Sequence, residues 1–183
     1  MFESFLNFFD EKITHSIEGI DVYEKFLECL GGRQFGNGLF NTFAKDNIEK
    51  WTSVVNEAYP EFKGEFKLFG YDWLGRMFGI SGQKNNEKVL MFEIGTGEVL
   101  EIPCNFLDFL NEEIPLYSDA CLAATFYNKW LRKKRKAVSY GRCIGYKVPL
   151  FLGGQDVIKN LEESDLEVYW YVVTEVKKRI APN

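Results

Sequence analysis

The sequence predicts an α+β fold: an antiparallel four-stranded meander flanked by N-terminal and C-terminal helices. Three observations carry this. Between Gly64 and Cys104 lie four short apolar runs, Phe66–Tyr71, Met77–Ile80, Val89–Ile94 and Val99–Ile102. The turns between them, Asp72 to Gly75, Gly82 to Asn86 and Gly95-Thr96-Gly97, are too short for parallel crossovers, which need about a dozen residues. On both flanks the apolar residues recur at helical spacing instead. The chain has 183 residues, 46% of them hydrophobic and 16% aromatic. A chain of that length buries roughly 70% of its unfolded surface, enough for one core.

Taken in order, Phe2, Phe5, Leu6, Phe9 and Ile13 form one helical stripe. Asp21 starts a second helix, with Phe26, Leu27 and Leu30 inward and Gly31-Gly32 as its stop. Gly36-Asn37-Gly38 reads as a connector. A third helix opens at Asp46-Asn47, buries Ile48, Trp51, Val55, Ala58 and Tyr59, and ends at Pro60. Within the meander, Val89-Leu90-Met91-Phe92 is apolar without alternation, as for a strand covered on both faces. Asn105 caps a short helical turn carrying Phe106, Phe109 and Leu110. A longer helix is expected from Ser118-Asp119, with Leu122, Phe126, Tyr127, Trp130 and Leu131 on one side. Pro149 keeps the segment Gly145–Gly154 from being helical, and Val148 is pushed to an extended conformation. Ser164-Asp165-Leu166-Glu167 reads as a capping box before a final helix striped by Leu166, Tyr169, Trp170, Val173, Val176 and Ile180. The expected division is 1–110, helices plus sheet, and 111–183, two helices and an extended Pro/Gly segment, packed as one compact unit.

Composition narrows the function classes. The net charge of −5 argues against a phosphate-binding surface over most of the molecule. Cys29, Cys104, Cys121 and Cys143 show no C-x-x-C spacing, so no zinc framework is visible and free thiols are expected. The first residues, Met1-Phe2-Glu3-Ser4-Phe5, lack the basic start of a signal peptide. No apolar run approaches the ~18 residues of a membrane span. A cytoplasmic protein is expected, with no cofactor and no metal.

Candidate chemistry is sparse. The single histidine, His15, has no orienting partner at a known spacing. Gly36-Asn37-Gly38 lacks the third glycine of a dinucleotide fingerprint. Gly79-Ile80-Ser81-Gly82 falls one residue short of a nucleophile elbow. Gly95-Thr96-Gly97 reads as a hairpin turn. The basic run Arg132 to Lys136 lacks interleaved aromatics and suits a helix C-terminus, so no nucleic-acid or membrane role is assigned to it. No Lys or Arg occurs between Lys88 and Lys129, whereas that stretch holds seven acids, Glu93, Glu98, Glu101, Asp108, Glu112, Glu113 and Asp119. An acidic surface stripe, solvated or facing a basic partner, is the reading preferred here over a catalytic pair, with Glu98, Glu101, Asp108, Glu112 and Glu113 as the candidate contact. Glu93, closing an apolar strand, is the acid expected to be partly buried, and would serve a carboxylate-based enzyme best.

Four runs together carry a resemblance: Leu68–Arg76 (LFGYDWLGR), Phe92–Glu98 (FEIGTGE), Glu101–Phe106 (EIPCNF) and Gly145–Gly154 (GYKVPLFLGG), the last leading to Asp165 and Tyr169-Trp170. In these the chain resembles, over roughly residues 20 to 178, the bacterial GAD-like domain family whose C-terminal part is that of type VI secretion DNase immunity proteins. The resemblance implies a non-enzymatic protein that binds and neutralises a secreted toxin, commonly a DNA-degrading one, with no catalytic residue to transfer. An adaptor or ligand-binding module is the alternative, and a carboxylate hydrolase a further one. The family-like positions Tyr71, Trp73, Arg76, Gly95, Gly97, Tyr146, Pro149, Gly153, Gly154 and Trp170 read as maintaining the fold.

Overall fold

The computed structural model describes residues 1–12, 21–82, 86–134 and 136–180. A six-stranded antiparallel sheet forms its middle layer, in the order β1 to β6: Gln34–Phe35, Phe40–Thr42, Phe66–Asp72, Met77–Ser81, Lys88–Glu93 and Glu98–Ile102. The last four are the expected meander. The first two correct it: the glycine-rich connector is a tight hairpin, with Asn37 at φ 55°. β2 carries no apolar alternation because Asn41 and Thr42 are themselves fully buried. Gln34 donates to Asn41 Oδ1 at 3.1 Å, and the Thr42 hydroxyl donates to Leu30 O. Pairing to β3, rather than side-chain pattern, makes this stretch a strand.

Helices cover both faces. α1 (Glu3–Phe8), α2 (Val22–Leu30) and the helical run after β6 share one core with Phe69, Phe78, Val89 and Met91. α3 (Ile48–Ala58) and α7 (Leu166–Ile180) share the other with Leu68, Tyr71, Leu90 and Phe92. β5 thus sends alternate residues into two cores, as its unbroken apolar run predicts. The Asp21 cap is present, its carboxylate accepting from Glu24 N at 3.0 Å.

Four expectations on the C-terminal side are corrected. No helix starts at Ser118. Instead α4 (Phe106–Asp108), a π-helical turn (Phe109–Glu113) and α5 (Ile114–Leu122) follow one another, and Ala123 breaks the run at φ 50°. α6 (Ala124–Lys134) then begins, its Thr125 N donating to Asp119 Oδ1 at 2.8 Å. Asp119 therefore caps a helix five residues later than expected. The capping box before α7 is also not formed: Asp165 alone accepts from Glu167 N and Val168 N, while the Glu167 side chain pairs with Lys50. Finally, a second sheet appears, β7 (Arg142–Tyr146) against β8 (Leu161–Asp165). β8 reads LEESD, too polar to be seen as a strand. Ile180, placed on the inner stripe, is 51% exposed.

Phe92 is fully buried, with ring centroids of Phe66, Tyr59 and Phe62 at 4.7, 5.5 and 5.8 Å. Phe92→Ala is expected to cost about 3–5 kcal/mol in chemical denaturation. A loss below about 1 kcal/mol would contradict the central placement of β5.

Candidate functional site

The turn between β3 and β4, Asp72-Trp73-Leu74-Gly75-Arg76, is where the polar groups of the interior converge. Asp72 is fully buried. Its Oδ1 accepts from Leu74 N and Arg76 N, both at 3.0 Å, and its Oδ2 from Arg76 Nε and Nη2, both at 2.6 Å. Burial pushes the Asp72 carboxyl up, and Arg76 and the two amides pull it back. Four N–H donors on one carboxyl favour the ionised form, since an acid O–H would face a donor. Burial opposes the Arg76 charge too, but Asp72 and Glu93 more than offset it and hold the guanidinium protonated.

The same turn grips the C-terminal half. Arg76 Nη2 donates to Cys121 O at 3.1 Å and Trp73 Nε1 to Leu122 O at 2.9 Å, which fastens the end of α5. Ile144 N donates to Trp73 O at 2.7 Å, and Trp170 Nε1 to Gly75 O at 2.8 Å, fastening β7 and α7. Tyr71 Oη accepts from Gly141 N at 2.7 Å. A second junction lies at the β5–β6 hairpin. A Cβ on Gly95 would lie 2.6 Å from the Tyr146 ring, so only glycine allows this approach. Gly95 O accepts from Leu150 N at 2.8 Å, and Tyr146 Oη donates to Asp156 Oδ1 at 2.8 Å. Pro149 O accepts from Gly154 N at 3.1 Å, closing the 149–154 loop through Gly153 at φ 84°. Gly97, at φ 76°, closes the hairpin onto Glu93 O.

Acids of the expected stripe fall on two elements. Glu98 and Glu101 sit on β6, an edge strand, where a spacing of three puts them on opposite faces. Both are exposed, and Glu101 is paired with Lys88 at 2.6 Å. Asp108, Glu112 and Glu113 follow on the helical run. Asp108 is half-buried and accepts from Asn105 Nδ2 at 2.6 Å, Glu112 is exposed, and Glu113 is half-buried beside Cys121. Glu93 is partly buried as expected, though not alone in that, since Asp108 and Glu113 share the condition. Burial raises its carboxyl above the ordinary 4.5, and Arg76 pulls it back.

Among the described residues the fully buried acid is Asp72, whose local sequence marks it as a turn residue only. Its signal was the D-x-x-x-R spacing astride a turn. His15 lies outside the described residues. All four cysteines are free thiols, and burial lifts Cys121 to about 11 and Cys104 to about 12. Among the described residues no group of three or more His, Cys, Asp or Glu is placed to hold a metal ion. Among them, too, no helix is long and apolar enough to cross a membrane.

Residues 105–177 match the family described as "T6SS immunity protein Tdi1, C-terminal", the C-terminal part of the family that the sequence motifs resemble. The chain also superposes on the crystal structure of Atu4351 from Agrobacterium tumefaciens with a TM-score of 0.59 at 18% identity, over 96% of this chain and 89% of that one. At that identity the likeness establishes the fold alone. No curated protein matches the chain.

Glu93 gives the site a pH signature. Its folded-state pKa lies above the ordinary value, so ionising it opposes folding: the penalty is absent below 4.5 and complete above the raised value. Glu93→Gln is therefore expected to raise the melting temperature at pH 7, with the gain fading as pH falls through that window. A gain that persists below pH 4 would contradict this placement of Glu93.

Proposed function

We propose, taking residues 105–177 as a type VI secretion immunity module, that the protein binds a cognate secreted toxin and neutralises it by occlusion, without catalysis of its own. The family match is the observation that carries this reading. The toxin class we propose is a nuclease. A nuclease offers the phosphate backbone a cationic groove, and an acidic protein competes for that groove and is steered onto it. The acidic edge formed by Glu98 and Glu101, continued by Asp108, Glu112 and Glu113, is the proposed contact. No Lys or Arg interrupts that stretch of sequence, and among the described residues only Lys88 is paired to it.

The protein's place in this reading is the cytoplasm of the toxin-producing cell, apart from membranes and with no direct nucleic-acid contact. The basic end of α6 fits that exclusion. Lys134 lies over the Trp130 ring at 5.3 Å and Lys136 pairs with Glu163, so these cations already have internal partners. Non-enzymatic action fits the buried pair, because Asp72 spends its lone pairs on Arg76 and two amides. The family-like residues serve to hold the two parts, 1–110 and 111–183, in register: Trp73, Arg76, Tyr146 and Trp170 are all buried.

Co-expression survival with the cognate toxin, followed by association kinetics at low and high salt, tests this. Reversing Glu98, Glu101 and Glu112 to Lys is expected to slow association about tenfold or more at low salt and to weaken protection. The melting temperature should hardly move, because exposed pairs such as Lys88–Glu101 are worth under about 1 kcal/mol. Full protection by the triple variant, with association indifferent to salt, would remove the acidic edge from the mechanism.

A further inference from the structure

The helical run from Phe106 to Leu122 leaves α geometry at two places: the π-helical turn Phe109–Glu113, and Tyr117, at φ −128° and ψ 35°. Such departures inside a helix concentrate at functional positions, where they re-aim side chains. Here they bracket Leu116, and Leu116 and Tyr117 themselves stand 69% and 56% exposed. Leu110, Ile114, Cys121 and Leu122 of the same run are buried, so the run has an outward side. That side carries Glu112, Leu116, Tyr117, Asp119 and Ala120, all exposed. Among the described residues neither Glu112 nor Asp119 forms an ion pair, and Asp119 commits one oxygen to Thr125 N. The neighbouring helices leave this charge standing. α1, which packs against the run, carries Glu3, and α6 has no charged residue before Lys129.

We infer that Leu116 and Tyr117 are the apolar anchor of a docking surface for a cationic protein surface. Resting on the function proposed above, that surface is the toxin's basic groove, with an apolar pocket rimmed by Lys and Arg. Charge selects this occupant. A second copy related by a two-fold axis would bring the patch against itself and set acid against acid. An anionic bilayer or a nucleic acid is repelled by the same acids. A basic protein surface pairs with them, and the acids continue the edge already proposed as the contact. The two kinds of residue then divide the work. Exposed acids act at a distance and govern the approach, whereas a tyrosine and a leucine shut away from water at the centre govern how long the complex lasts. Tyrosine suits the anchor because it offers a large contact area with few torsions to fix.

Association and dissociation rates of the full chain on the purified cognate toxin, inactivated at its catalytic centre, test this. Tyr117→Ala is expected to speed dissociation roughly thirtyfold or more, the size of a hot-spot loss, with association and its salt dependence nearly unchanged. Leu116→Ser should act in the same direction, and Tyr117→Phe should stay within several-fold of the parent. Both side chains are exposed, so melting temperatures should hardly move. Tyr171→Ala removes a ring of α7 that is 62% exposed and should leave both rates as they are. If the parent binds toxin and Tyr117→Ala and Leu116→Ser dissociate no faster, the anchor is overturned while neutralisation by occlusion stands. If the parent binds no toxin, both fall together. A parent that dimerises or sediments with phosphatidylserine vesicles, in a way that Tyr117→Ala abolishes, assigns the pair to another surface and equally overturns the inference.

Discussion

The end of α5, β7 and α7 are fastened to one turn of the sheet, and that turn is shaped by one buried ion pair, Asp72–Arg76. Taking two charges out of water costs several kcal/mol per ion unless their geometry is tightly satisfied. Here four N–H donors meet the carboxyl, and the guanidinium has a second acceptor in Cys121 O. That fixes the shape of the five-residue turn. The turn in turn presents Trp73 O, Gly75 O and the Trp73 indole to β7, α7 and the end of α5. A buried pair of this kind contributes more to a unique arrangement than to net stability, since an apolar substitute of equal volume often matches it in energy.

The arrangement matters because the candidate contact is split between two elements, of which only the helical run lies in the matched residues. Glu98 and Glu101 belong to the last strand of the meander, whereas Asp108, Glu112 and Glu113 belong to the helical run that opens the matched residues. The β5–β6 hairpin holds the C-terminal segment through Gly95, where the Tyr146 ring packs against the bare α-carbon. The β3–β4 turn holds it through Trp73 and Trp170. Two rigid attachments at separate hairpins leave little freedom between the acidic strand and the acidic helical run. A binding surface built across both then pays little ordering entropy on meeting a partner.

Legibility in the sequence followed local chemistry. The meander was readable because its turns are glycine-rich and short and because β5 is apolar on both faces. Helix caps at Asp21 and Asn105 were readable for the same reason. β2 and β8 were not, since Asn41, Thr42, Glu162 and Glu163 carry no strand pattern and are strands only by pairing with β3 and β7. The break at Ala123 was hidden because alanine favours helix, whereas here it stands in the left-handed region at φ 50°. Asp72 reads as an ordinary turn residue because burial is a tertiary property. Of the candidate surface, the acids were readable as a run in sequence, but not the fact that β6 turns two of them to opposite faces.

Hydrogen exchange on Arg76→Met against the parent tests the hub directly, because that change leaves Asp72 buried with only its amide donors. The hub role predicts that protection falls together at the β3–β4 turn, at the Ile144 amide of β7, at the end of α5 and along α7, while α1 and α2 keep theirs. Loss of protection confined to residues 72–76, with β7 and α7 exchanging as in the parent, would contradict it.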